Sequence, residues 1–455
     1  MRSEVIELDD IDAGIDRKQL QRLKQRFLGL NRERHQRMLA GLSDRQETLV
    51  ALLPLLFHVN HPMLPGYVSQ DVPAGVSLYE PDKHAIRYAR SLARSFQYQR
   101  DLSAQHPAIE ALFVMGSVGT IAQSEGSDLD IWVCHQPSLD AAGRRRLEHK
   151  CRKLTQWAND NVRLEVHFFL MEASQFRTGN LGNLSAEGSG SAQRFLLLDE
   201  FYRTALWLAG KLPLWWFVPA GCESRYSDYA HTLLHRRFLP ERELIDFGGL
   251  PSIPADEFVG AGIWHLYKGI ESPHKSVLKL MLLEAYSRGS DTSPLALSLK
   301  DAVYRAEPDP DRLDPYVMVY RRLEAYLKEQ LAAAGVKRPG PDERLDLARR
   351  CLYFKVGKKL TQVPRGARPS WQRELLQRLA TEWGWSQPHL LQLDRKRHWK
   401  APEVVHERSQ LVAELSASYR LISAINKEQI GARISDEELM ILGRKLHAAF
   451  ERKAG

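Results

Sequence analysis

Two aspartates one residue apart, Asp128 and Asp130, follow a Gly116-Ser117 pair inside the stretch FVMGSVGTIAQSEGSDLDIWVCH, residues 113–135. The run from Ala111 to Met115 is apolar and predicts a buried strand that stops at Gly116. Glycine allows a backbone to approach a ligand without a Cβ in the way, and a serine hydroxyl with the following N–H groups can bind phosphate oxygens. From Asp128 to Val133 polar and apolar residues alternate. Side chains alternate across a strand, so Asp128 and Asp130 share one face and Leu129, Ile131 and Val133 take the other, toward a core. Two adjacent carboxylates repel each other, and a hard divalent cation such as Mg²⁺ relieves the repulsion.

A third acid is in reach. The segment RLEVHFFL, residues 163–170, alternates again: Leu164, Val166 and Phe168 face one way, Glu165 and His167 the other. Paired beside the Asp128 strand, Glu165 would complete a three-carboxylate cluster; His167 or another acid could stand in its place. Such a cluster can hold two metal ions about 3.5–4 Å apart and clamp both ends of an in-line phosphoryl displacement. That chemistry also needs fixed cations for the phosphates. Arg203 and Lys211 are candidates, with an ion pair from Arg203 to Asp199 or Glu200 as the plainer role. Ser272-Pro273 predicts a helix start, which favours anions, and Lys275 and Lys279 lie four apart on that helix. Their plainer role is a pair of solvent-facing lysines.

The elements that must position these groups follow from periodicity. Helices are expected over 16–30, 31–42 and 44–57, with Ser43 as a cap, then a proline-rich connection over 58–81. A helix over 82–102 precedes the first core strand, and another runs from Ser138 or Asp140 to about Asn159. Residues 172–193 are rich in glycine and serine and form either a surface loop or a lid. A helix is expected from Arg194 to Ala209, ended by Gly210, with a last core strand over Leu212–Val218. Beyond Tyr226 the pattern is mostly helical: short helices over 240–247 and 255–270, then 273–286, 314–334, 342–362, 371–383 and 402–425, and a final helix capped by Ser435 with Glu438. Trp383, Trp385 and Trp399 read as helix-packing residues.

With 455 residues, 44% hydrophobic and 26% charged, the chain has the composition of a globular protein of two or three domains. Its net charge of +8 is spread along the chain rather than clustered, which suits an anionic nucleotide better than nucleic acid. The four cysteines have no metal-ligand spacing and no disulfide framework, so a cytoplasmic location is expected. The N-terminal segment is too polar for a signal peptide, and the apolar run from Leu49 to Phe57 is too short to span a bilayer.

The Gly-Ser turn, Asp-x-Asp strand and third acidic strand together resemble the polymerase-β-like nucleotidyltransferases. The strings SDLDIWVCH, LLLDEFYRTA, LAGK, HPMLPGY and SPHKSVLK…LLEAY resemble the catalytic half of the bacterial class I adenylate cyclases. The resemblance implies an α+β fold with three parts: a helical N-terminal segment and linker over 1–81, a nucleotidyltransferase core over 82–220, and a mostly helical domain over 221–455. It implies conversion of ATP to cyclic AMP and pyrophosphate with two Mg²⁺ or Mn²⁺ ions on Asp128, Asp130 and Glu165. It implies phosphate contacts from Gly116, Ser117, Arg203, Lys211, Lys275 and Lys279. A regulatory second half would lie outside this chain. The motif alone speaks for nucleotidyl transfer, and a transferase that adds AMP to a separate acceptor is the other reading of it.

Overall fold

A four-stranded mixed sheet lies at the centre of the N-terminal half, in the order β3-β2-β1-β4. The computed structural model describes residues 16–99, 106–179, 193–333, 343–363, 370–428 and a few positions between 440 and 448. The chain opens with α1 (Arg17–Leu39) and α2 (Asp44–His58), where Ser43 and Gln46 form a capping box. After α3 (Lys83–Leu92) come β1 (Ile109–Met115), β2 (Leu129–His135), α4 (Ala141–Val162) and β3 (Val166–Met171). β1 and β2 are antiparallel; β2 and β3, joined through α4, are parallel. The period-2 pattern holds. Leu129, Ile131 and Val133 are fully buried in a cluster with Leu52, Phe57 and Leu147, contributed by α2 and α4. The opposite face carries Phe113, Met115 and Trp132 and packs against α1 through Leu20, Leu23 and Phe27.

The next segment departs from its local pattern. The expected helix over 194–209 ends early: α5 (Ala173–Thr178) is followed by α6 (Arg194–Thr204), and Leu206–Gly210 is β4, paired antiparallel with the free edge of β1. Two distant side chains impose this ending. Arg34 donates to the carbonyls of Arg203 and Thr204 at 3.2 and 2.6 Å, and Asn31 exchanges hydrogen bonds with the backbone of Trp207 at 2.8 and 3.0 Å. Gly210 therefore ends a strand, not a helix. A Cβ there would lie 2.3 Å from the carbonyl oxygen of Glu110, at a φ of +96°. The expected strand over 212–218 shrinks to β5 (Leu212–Pro213), and the expected helix over 240–247 becomes a 3₁₀ turn leading into β6 (Leu244–Ile245). β5 and β6 pair with each other in a separate two-stranded sheet.

The rest is helical: α7 (Tyr226–His235), α8 (Ala255–Gly269), α9 (Pro273–Arg288), α10 (Leu295–Tyr304), α11 (Pro315–Ala333), α12 (Glu343–Val356), α13 (Trp371–Glu382), α14 (Gln387–Asp394) and α15 (Ala401–Glu428). α8 and α9 pack together and against α15, and Trp383 is buried in this helical core. The architecture is a mostly helical α+β fold. The segment 180–192 and the Ser435–Glu438 cap lie outside the described residues.

The helical half also holds the loop between β1 and β2. Asp314 caps α11 through one oxygen, accepting from the Tyr316 and Val317 amides, while its other oxygen accepts from the Ile121 amide at 2.7 Å. Gln372 on α13 donates to the carbonyls of Ile121 and Gln123 at 3.0 and 2.7 Å. Buried backbone groups require partners. Two remote side chains supply them here and so set the conformation between the Gly-Ser turn and the aspartates.

Candidate active site

The sheet register brings the predicted motif residues together. Asp130 stands opposite Met115 on β1 and opposite His167 on β3, so the turn after Met115 lies beside the aspartate. Gly116 has φ +96°, a left-handed conformation that favours glycine, and a Cβ there would lie 3.8 Å from Asp130 Oδ2. Ser117 Oγ is 3.1 Å from Ser127 Oγ, which ties the start of the loop to its end.

Ligand-type atoms of Asp128, Asp130 and His167 all lie within 4.8 Å of one another. Glu165, the acid expected from the sequence, is not in this group. Its side chain is 72% exposed and its Oε1 lies 3.1 Å from His167 Nε2. Both residues keep the same face of β3, as alternation predicts. His167 is in register with Asp130, whereas Glu165 lies one step before the strand, where its carbonyl pairs with the Leu129 amide. Burial, and then the charge of Asp128, push the Asp130 carboxyl up to about 6, with His167 and Lys275 opposing. Two carboxylates held close while partly desolvated are destabilised until a cation joins them. The donor set of two carboxylates and an imidazole fits a divalent ion: the oxygens suit Mg²⁺ or Mn²⁺, and the imidazole is a ligand that transition-metal ions take more readily.

Above this acidic floor opens a cleft of about 280 Å³. The sheet contributes Gly116, Asp130, Trp132 and Phe169; α6 contributes Glu200 and Arg203; α8 contributes Trp264 and His265; α9 contributes Lys279. Lys279 donates to Glu200 at 2.6 Å. Burial alone would raise Glu200, but Lys279 and Arg203 outweigh it and hold the carboxyl at about 2. Burial, then Lys279, push His265 down to about 3, which keeps it neutral. A second recess shares Glu200, Arg203 and Lys279 and is completed by Lys275, Tyr316 and Lys355.

Of the cations expected to meet phosphate, Lys275, Lys279 and Arg203 therefore converge on the cleft and its side recess. Arg203 also forms the anticipated ion pair with Asp199, at 3.5 Å. Lys211 does not converge. It pairs with Glu110 at 2.6 Å, near the start of β1, the end remote from Gly116. At about 3.3 Å per residue that is some 20 Å away. The resemblance implied a phosphate contact for Lys211; the strand found where a helix was expected sets it at the far end of the sheet from Gly116. Of the aromatic residues Tyr202, Trp215, Trp264 and Tyr267, Tyr202 and Trp215 stack on each other in the core at 4.0 Å and Tyr267 is exposed, while Trp264 lines the cleft. Trp132 and Phe169 were missed, although alternation already placed them on the faces of Asp130 and His167. Lys355 and Gln372 had no local signal, and Asp314 was expected only as the start of a helix.

The comparisons agree with this two-sided construction. The family described as adenylate cyclase NT domain matches residues 19–216, which hold the whole acidic floor. The family described as adenylate cyclase, class-I, second domain matches residues 253–455, which hold Lys275, Lys279 and Lys355. The adenylate cyclases of Salmonella typhimurium and Escherichia coli are each 40% identical to this chain, over 443 and 445 residues, and that of Proteus mirabilis is 38% identical over 441. Each alignment covers 96% of this chain and 50% of the relative, so the chain spans about half the length of the curated relatives it matches. No solved structure matches. With its acids in one matched domain and its lysines in the other, the chain belongs to the class I adenylate cyclase family.

Proposed function

We propose that the chain is the catalytic portion of an adenylate cyclase, converting ATP to 3′,5′-cyclic AMP and pyrophosphate. The observation that carries this reading is the meeting of Asp128, Asp130 and His167 beneath a cleft whose other wall bears Lys279, Arg203 and the neighbouring Lys275. An acidic floor for metal facing a basic wall for phosphate is what an in-line displacement on a nucleotide requires. The sheet unit within 82–220 is, on this reading, a polymerase-β-like core, and 221–455 closes the cleft from the other side.

Asp128 and Asp130 would hold the metal, with His167 as the third donor nearest to them. Two bound Mg²⁺ or Mn²⁺ ions would lower the pKa of the ribose 3′-hydroxyl and offset charge on the α-phosphate and the leaving pyrophosphate. Glu165 fixes the His167 ring through Nε2, leaving Nδ1 as the other nitrogen. Its exposed carboxylate is also the group this reading assigns to take the hydroxyl proton. The 3′-oxygen then bonds to the α-phosphorus as the bond from that phosphorus to the bridging oxygen breaks. Gly116 and Ser117 offer backbone N–H and hydroxyl groups to the phosphates. Trp264 and Phe169 offer apolar surface for the adenine. Catalysis in such a site is positioning and charge stabilisation.

The test is incubation of the purified chain with ATP and Mg²⁺ or Mn²⁺, with the products resolved by mass. Cyclic AMP and pyrophosphate in equal amounts are expected. Pyrophosphate without cyclic AMP would replace the cyclase with a transferase that uses a separate acceptor.

A further inference from the structure

The side recess gathers Lys275, Lys279 and Lys355 with Arg203, Glu200 and Tyr316. Two of its four cations are neutralised within the protein: Lys279 by Glu200 at 2.6 Å and Arg203 by Asp199 at 3.5 Å. Among the described residues, Lys275 and Lys355 have no ion-pair partner. Lys355 lies in the last turn of α12, where a cation suits the helix dipole. That alone would leave it in solvent. Instead it is only partly exposed and faces the same recess as two other lysines. Burial, then Lys275, lower its pKa; Asp128 opposes this, and Lys279 adds to it. Glu200, Arg203 and Lys279 line both this recess and the cleft over Asp130, so the recess adjoins the acidic floor.

Like charges gathered on a partly desolvated wall are destabilising unless an anion lies between them. The anion that fits is compact, carries several charges, and reaches a cation on Asp128 and Asp130 at the same time. A polyphosphate tail has all three properties. We propose that Lys355, together with Lys275, binds the β- and γ-phosphates of the nucleoside triphosphate, so that the grip on the leaving group comes from the second matched domain. This rests on the reading of the cleft as a triphosphate site. Lys355 is then a substrate-binding residue that the sheet unit alone would lack.

The test uses 3′-deoxy-ATP, which has no attacking hydroxyl, and 3′-deoxy-AMP, which has no β- or γ-phosphate. Binding of each to the purified chain is measured by calorimetry with Mn²⁺ present, for wild type, Lys355→Ala, Lys355→Gln and Lys355→Arg. Loss of a partly buried charge contact predicts at least about a tenfold weaker affinity for 3′-deoxy-ATP in the Ala and Gln variants. Affinity for 3′-deoxy-AMP should not change, and Arg should restore most of the loss. Melting temperatures identify any variant that does not fold, in which case the Gln or Arg protein carries the comparison. Equal losses for both nucleotides, or no loss in a folded variant, would overturn the assignment. Cyclic AMP formation by wild type is scored separately. If it occurs without a selective Lys355 effect, only the lysine assignment falls. If the selective effect occurs without cyclic AMP, the lysine assignment stands and the cyclase reading falls. A wild-type chain that does not bind 3′-deoxy-ATP would overturn both.

Discussion

Two lysine–glutamate pairs of the same 2.6 Å length lie at opposite ends of the sheet unit, Lys279–Glu200 and Lys211–Glu110. The first lines the cleft beside the aspartates; the second, with both side chains more than four-fifths buried, ties β1 to the chain just after β4. A third pair, Lys300–Glu223, is wholly enclosed, and the lysine also donates to the carbonyl of Val218. Residue type and partner are alike in all three. What differs is whether the pair faces a space large enough for a ligand. An ion pair is thus no mark of function, and none of function's absence. The informative cations are those left unmatched at the cleft, and the informative acids are those held together against their repulsion.

The comparison can be broken most sharply at the acids. Asp128→Asn keeps the bulk of the side chain and removes a charged ligand; turnover of ATP should fall by more than about a thousandfold, about 4 kcal/mol in the barrier. Cyclic AMP assays would check this, and activity within about tenfold of wild type would move the metal site elsewhere.

At the enclosed pair, Lys300→Met should leave Glu223 buried without its partner and cost about 3–5 kcal/mol of stability. Denaturant unfolding would measure it. A loss of activity in a variant of unchanged stability would show that the pair is not merely structural.

Asp130→Asn should act in the opposite direction on stability. In the folded chain without metal the Asp130 carboxyl sits at about 6, above its ordinary value. The native state therefore binds more protons than the unfolded state between that ordinary value and about 6. Stability falls as pH rises through this window and stays low above it. The variant, though inactive, should melt a few degrees higher than wild type at pH 8 in chelator, a gain on the order of 1–3 kcal/mol that vanishes near pH 4. Mn²⁺ should raise the melting temperature of wild type and not of the variant. No difference between pH 8 and pH 4 would mean that neither burial nor the neighbouring Asp128 destabilises the ionised Asp130.

The smallest effect is expected at the far end of the sheet. Lys211→Ala should leave turnover and KM unchanged while lowering stability by about 1 kcal/mol, because Glu110 keeps some exposure and can recover water. A raised KM for ATP would return Lys211 to the phosphate site.

The acidic floor was legible because its signal is local. Alternation over Asp128–Val133 and Glu165–Leu170 fixes which residues share a face, and a buried strand must follow its period. The same rule contained Trp132 and Phe169. It could not separate Glu165 from His167, which share a face; the pairing of His167 with Asp130 sets His167 nearer the aspartates, and register belongs to the assembled sheet. The segment after Thr204 was misread for a related reason. Its composition permits a helix, and Arg34, Asn31 and the open edge of β1 made it a strand.

By itself, then, the sequence determined that Asp128 and Asp130 share one face after a glycine turn, because side-chain direction along a strand needs no distant information. Only the tertiary structure decided which cations face those acids. Lys211, Lys275 and Lys355 are locally equivalent, each a lysine at a helix or strand end. Their separation into one remote and two converging groups depends on the long-range packing that sets α9 and α12 beside α6, and no pattern within their own segments encodes it.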